Sequence, residues 1–183
     1  MTDRDALTLD DGELIGARVV GARHAGGAFA KSRLVDVELV RCDLSGCDFS
    51  ESVWQRVTLA DCRCSSIELP QTRMRDVTFT DAKLDDANLR MARLVNVRFG
   101  ASGLVGALFG AAELDGVAFP DCDLSCADFA NARVHEVDLR DARLEGLQGL
   151  SSLRGATIAP EQLVVLAPAL AYALGMIVRA TEK

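Results

Sequence analysis

A period of five residues runs without insertion from Leu9 to Leu144. Every fifth residue over that span gives 28 positions, of which 15 are Leu, 7 Phe and 2 Val, with one each of Met, Trp, Cys and His. All the phenylalanines of the chain belong to this class: Phe29, Phe49, Phe79, Phe99, Phe109, Phe119 and Phe129. Two residues before each of these centres runs a second, smaller class from Leu7 to Ala142, with ten Ala and six Val and mostly Cys and Ser in the remainder. Five matches neither the 3.6 of a helix nor the 2.0 of a flat strand. It fits a solenoid whose chain turns a corner every five residues.

The number of corners per coil follows from the valines of the small class. Val37, Val57, Val77, Val97, Val117 and Val137 recur every twenty residues, beside the centres Leu39, Leu59, Phe79, Phe99, Phe119 and Leu139. Residues twenty apart then stack on successive coils, giving four faces per coil, a Val column and a three-rung Phe ladder. About seven to eight coils are expected; seven at the spacing of hydrogen-bonded strands make a rod on the order of 34 Å long. Trp54, between Leu34 and Met74, is expected in the core. Cys42 and Cys62 stack in the small class, where a disulfide is conceivable geometrically but buried thiols are expected, because Ala82 and Ser102 continue the column to Cys122. Cys126 is the one cysteine in an outward class and the candidate for a reactive thiol.

The units Ala127-Asp128-Phe129-Ala130-Asn131, Ala87-Asn88-Leu89-Arg90-Met91 and Cys42-Asp43-Leu44-Ser45-Gly46 resemble the A(D/N)LXX pattern of the pentapeptide-repeat family. That resemblance implies a right-handed quadrilateral β-helix. After a stutter at Gly149, Leu153 to Ile158 is read as one last, shifted repeat. The division is then a tail at 1–6, the repeat β-helix at 7–158, and a helical cap with a short strand at 159–183.

In the last part, Pro160-Glu161-Gln162-Leu163 opens a helix whose Leu163, Leu166, Leu170 and Leu174 share one face. Pro168 is expected to kink it or restart it as a second short helix, Gly175 to stop it, and Met176 to Arg179 to form a strand. An apolar helix followed by Leu174-Gly175-Met176-Ile177-Val178 is similar to the ends of the quinolone-resistance members of that family, the Qnr and MfpA types. The resemblance implies pairing of two chains through Leu163, Leu166, Leu170, Leu174, Met176 and Val178. It also implies a DNA-mimicking protein that binds DNA gyrase or topoisomerase IV. The absence of loops interrupting the repeats is nearer the MfpA type.

A DNA mimic makes a demand on charge. The formal net charge is −7, and residues 101–150 alone hold nine acids against three bases. Those acids include Glu113, Asp115, Asp121, Asp123, Asp128, Glu136, Asp138 and Asp141, the candidate partner-binding surface. Asp61, Asp81, Asp121 and Asp141 share one outward column, interrupted at Ala101. The middle third is slightly basic, with Arg56, Arg63, Arg73, Arg75, Lys83, Arg90, Arg93 and Arg98, which a uniform mimic would not carry. An acidic chain disfavours nucleic acid as a partner, since binding phosphates requires clustered Lys and Arg. The alternative is that outward Asp and Asn keep a rod soluble, and that the chain is a protein-interaction scaffold with another partner.

No cofactor, metal or catalytic constellation is expected. No C-x-x-C pair is present, His24 sits at a centre in a Gly-rich stretch, and His135 is outward beside Glu136. The longest apolar run, Leu163 to Val178, is short for a bilayer and broken by Pro168 and Gly175. With no signal-like segment at the N-terminus, a cytoplasmic location with reduced thiols is expected.

Overall fold

Each five-residue unit folds around one backbone device. From Gly16 to Gly146 every fifth residue has positive φ, in the left-handed region, whether it is Gly, Asp, Arg, Ala or Met. One such residue per unit bends an otherwise extended chain, so each centre and the small residue two before it point inward and the next face begins. The structure, a computed structural model, describes the backbone of Thr2–Arg4 together with residues 12–179. Leu7 and Leu9 lie outside the described residues.

The result is a four-sided parallel β-solenoid. Along one face, here face A, β2 (Glu13–Ile15) pairs with β4 (Arg33–Val40) in the register Leu14↔Leu34; Leu34↔Trp54 and Trp54↔Met74 then join β4, β5 (Val53–Ala60) and β6 (Arg73–Thr80). The face runs on through β7 (Arg93–Gly100), β8 (Glu113–Asp115) and β9 (Arg133–His135), with Met74↔Leu94, Leu94↔Leu114 and Leu114↔Val134. The eight-residue strands β4 to β7 turn a corner in their middle, at Asp36, Arg56, Asp76 and Asn96, so that their second halves form face B. There Val37↔Val57, Val77↔Val97, Leu59↔Phe79 and Phe79↔Phe99 are register partners, as the period of twenty predicts. Faces C and D are held by single parallel bridges, such as Arg63↔Lys83 and Asn88↔Leu108. At the N-terminal end, β1 (Thr2–Arg4) pairs with β3 (Ala17–Val20), so a segment expected as a tail contributes a strand. Among the described residues face A carries seven rungs from Leu14 to Val134, about six turns from the first to the last.

The core is a set of ladders. Phe79 and Phe99 stack at 4.7 Å and 8°, and Phe99 and Phe119 at 5.1 Å and 3°. A second stack on face D, Phe109 over Phe129 at 4.6 Å and 6°, meets the first edge-on: Phe109 stands at 88° to Phe119 and 86° to Phe99. Stacked and edge-to-face pairs each add about 0.5–1.5 kcal/mol beyond area burial. Trp54 is fully buried and stands edge-on to Phe49. Cys42, Cys47, Cys62, Cys64 and Cys122 are buried free thiols. Burial pushes Cys122 up to about 11, and its Sγ donates to the Phe99 carbonyl at 2.8 Å.

The C-terminal end departs from the frame as the stutter predicts. Gly149 takes φ 73° and leads into a 3-10 turn at Leu150–Ser152, after which Thr157 pairs with Asp138, nineteen residues away instead of twenty. α1 (Gln162–Ala173) then crosses the open end as a single helix with Pro168 inside it, not as two helices. It stops in a Schellman motif: Gly175, with φ 70°, donates to the Tyr172 carbonyl, and Met176 donates to that of Ala171. The strand expected at Met176 to Arg179 is absent. Residues 176–179 are exposed and pair with no other segment among the described residues, and an extended segment with no edge to join is not a strand.

Candidate functional site

Charge on this rod is governed by the same register as the core. Residues twenty apart lie about 4.8 Å apart on neighbouring coils, within reach of an ion pair. Arg18–Glu38, Arg56–Asp36, Arg133–Glu113, His135–Asp115 and Arg143–Asp123 are such pairs, at 3.0, 2.5, 2.9, 2.7 and 3.6 Å. Exposed pairs of this kind, screened by water, contribute little each to stability. Their consequence is that many charges counted in the sequence are answered within the rod.

A second device consumes aspartates. In the A(D/N)LXX unit the Asp or Asn side chain accepts the backbone N–H two residues on, an Asx turn that steadies the approach to the corner. Asp43 accepts from Ser45, Asp48 from Ser50, Asn88 from Arg90, Asp123 from Ser125 and Asp128 from Ala130. The Ser45, Ser50 and Ser125 hydroxyls and amides hold Asp43, Asp48 and Asp123 below the usual carboxylate range. Asp138 accepts from the Arg140 backbone at 3.1 Å and from its guanidinium at 2.9 and 2.6 Å, and is lowered chiefly by that side chain.

The eight candidate acids therefore separate. Glu113 is shared between Arg133 at 2.9 Å and Arg93 at 3.8 Å, Asp115 holds His135, and Asp123, Asp128 and Asp138 are engaged as above. Asp121, Glu136 and Asp141 accept no hydrogen bond and form no ion pair among the described residues, and all three stand exposed at left-handed corners. Asp121 and Asp141 share the corner between faces B and C with Asp61 and Asp81, so the outward acid column is a set of corner carboxylates. The pairing signal was available in the sequence, as opposite charges twenty apart; the Asx role was available in the position of Asp just before each centre.

The six tail residues separate too. Leu166 is buried and Leu170 packs partly buried against the last coil. Leu163, Leu174, Met176 and Val178 are exposed, together with Val164, Val165, Tyr172 and Ile177. Gln162, not singled out from sequence, closes the solenoid: its Nε2 donates to the carbonyls of Leu139 at 2.8 Å and Ala142 at 2.6 Å, and its Oε1 accepts from the Ala159 N–H at 2.7 Å. Cys126 is exposed at a corner. Among the described residues no group of three or more His, Cys, Asp or Glu is placed to hold a metal, and no helix is long and apolar enough to cross a membrane.

Comparison with known proteins agrees with this architecture. Residues 32–109 match the pentapeptide repeat region model and residues 104–146 match the pentapeptide repeats (8 copies) model. A trypsin-treated variant of QnrB1, a plasmid-mediated fluoroquinolone resistance protein, is similar in structure at 18% identity and TM-score 0.52, covering 95% of each chain. A second trypsin-treated variant of the same protein gives 16% identity and TM-score 0.47, over 97% of this chain and 99% of that one. A pentapeptide repeat protein from the Arabidopsis thaliana thylakoid lumen is 30% identical over 50% of this chain and 71% of its own, at TM-score 0.38. No curated protein matches. With a five-residue frame, a left-handed corner in every unit, four stacked faces and family models spanning residues 32–146, the chain belongs to the pentapeptide-repeat family.

Proposed function

We propose that this chain is a non-enzymatic DNA-mimicking protein that binds DNA gyrase or topoisomerase IV and modulates its activity or quinolone sensitivity. The observation that carries the reading is the corner column Asp61, Asp81, Asp121 and Asp141, whose last two members stand exposed and make no side-chain hydrogen bond or ion pair among the described residues, Asp141 feeling Arg140 only through space. Like charges stacked on neighbouring coils cost stability in the free rod. A groove that normally holds DNA would relieve that repulsion and be attracted to the column. Likeness of fold to QnrB1 supports the class of protein, not the contact residues.

The reading takes the protein as a cytoplasmic homodimer joined through the exposed tail, so that two acid columns meet across the two-fold axis. A gyrase supercoiling assay, with and without a quinolone, tests it: the wild-type rod changes supercoiling at micromolar concentration and Asp121→Lys/Asp141→Lys does not. No effect of the wild type at that concentration sinks it. A second reading, an interaction scaffold with another partner, is favoured by the internal pairing of Glu113, Asp115, Asp123 and Asp138. It is the one left standing if supercoiling is indifferent to both proteins.

A further inference from the structure

One place on the rod breaks the pairing of opposite charges with basic residues alone. On face A, Arg73 and Arg93 are direct register partners on β6 and β7, and Arg75 is outward two residues along from Arg73. Arg93 reaches Glu113 only at 3.8 Å, and Arg73 and Arg75 make no ion pair or side-chain hydrogen bond among the described residues. The other stacked basic pair, Arg63 and Lys83 on face C, is answered nearby: Asp43 is the register partner of Arg63, and Asp85 lies 3.7 Å from Lys83. Like charges directly opposite on neighbouring strands are destabilising. One further carboxylate, Glu51, lines a depression beside Arg73 and Arg93 and is shared with Lys31 at 4.0 Å, so three guanidinia stand together with less counter-charge than they carry and are poised to receive negative charge from outside.

The surroundings say what kind. The two outward columns of face A read Arg33, Val53, Arg73, Arg93 and Val35, Gln55, Arg75, Val95 between β4 and β7, Val35 being covered, and the depression over Met74 is lined by Val53, Gln55, Arg73, Arg75, Arg93 and Val95. Arginines set among valines match carboxylates set among apolar side chains, because guanidinium binds carboxylate bidentately while its stem packs on aliphatic groups. The basic stretch is short. One coil further on, Glu113 and Asp115 occupy the same two columns, so a nucleic-acid backbone laid along the face would run onto carboxylates. The corner acids Asp121 and Asp141 lie off this face, at the corner between faces B and C.

We propose that face A at Arg73, Arg75 and Arg93 docks a short acidic and apolar segment of a protein partner. A short fluorescein-labelled peptide rich in glutamate and leucine, its neutral glutamine and leucine twin, and oligo(dT) are titrated by fluorescence anisotropy at low and high salt. The acidic peptide binds, its neutral twin does not, and salt weakens binding. Arg73→Gln/Arg75→Gln lowers affinity about tenfold or more, while Arg23→Gln/Arg41→Gln on another side of the rod leaves it within about twofold. The melting temperature of Arg73→Gln/Arg75→Gln is unchanged or higher, because the arginines answer nothing in the free rod. Failure of the acidic peptide to bind, equal loss in both double variants, a fall in melting temperature, or tighter binding of oligo(dT) through the same arginines each overturns the proposal. None of these outcomes bears on the acid column, which is tested separately by supercoiling.

Discussion

At the corner positions a side chain is held where only glycine is at ease. An L residue in the left-handed region costs about 1–2 kcal/mol, against the roughly 0.5–1 kcal/mol of extra unfolded-chain freedom that glycine carries. Ala101, at φ 47° and exposed, gains nothing from its methyl group. Ala101→Gly is therefore expected to stabilise the rod by about 0.5–1 kcal/mol, seen as a melting temperature higher by roughly 2 °C. Gly149 is the opposite case, since a Cβ there would lie 2.3 Å from the Ala130 nitrogen and 2.5 Å from the Phe129 carbonyl carbon. Gly149→Ala is expected to cost about 3 kcal/mol or more in urea denaturation, because both obstructing atoms are backbone. His135 gives a titration to follow: Asp115, 2.7 Å away, raises its pKa above the usual 6.5. The stability this pair contributes is present below the unfolded value and is lost as pH rises through the folded one. Proton NMR of the His135 ring should show an elevated pKa that falls in Asp115→Asn; an unchanged value would remove the pair. The frame that placed these residues was legible in the sequence because it depends only on spacing. Which outward acids end without a partner was not, since a charge twenty residues away marks only a candidate pair, and whether the two side chains meet depends on the turn and its neighbours being in place.

At the level of elements, the solenoid's open end is closed by a helix whose work is divided by face. Leu166 and Leu170 cover the last coil while Gln162 donates to the carbonyl of Ala142, which accepts no other hydrogen bond among the described residues, and to that of Leu139, which also accepts from the Ala142 N–H at 3.2 Å. Leaving the Ala142 carbonyl unpaired under an apolar side chain costs about 1–3 kcal/mol. In a rod where each coil contacts only its neighbours, the loss should stay local. Gln162→Leu is thus expected to speed amide exchange at Leu139 and Thr157 while leaving the amides of Phe79 and Phe99 protected. Uniform acceleration would show instead that the rod opens as one unit. Helical spacing at Leu163, Leu166, Leu170 and Leu174 correctly marked a helix, yet it could not divide its residues between core and surface. Position relative to the final carbonyls decides that, and the one-residue slip between Asp138 and Thr157 sets that position.

For the molecule as a whole, the tail and the core make separable demands. Two interlocked phenylalanine stacks and the buried leucines stabilise the rod from within, independent of any second chain. The exposed group at Val164, Tyr172, Leu174, Met176, Ile177 and Val178 does not take part in that core. An exposed apolar patch on a protein is a candidate association site where its members lie together. If it joins two chains, Leu174→Asp/Ile177→Asp should shift the mass in light scattering from dimer to monomer and leave the monomer's β-solenoid circular dichroism intact. Leu166→Asp should act differently, lowering the melting temperature by roughly 5–10 °C through loss of about 3 kcal/mol of capping burial. A wild-type chain that is monomeric at high concentration would remove the two-fold doubling of the acid column, and with it the part of the DNA-mimic reading that requires a long negative surface. The column on one rod would then have to suffice, with Ala101 interrupting it. Its four carboxylates span four coils from Asp61 to Asp141, about 19 Å at the spacing of hydrogen-bonded strands, and the scaffold reading would gain by that measurement alone.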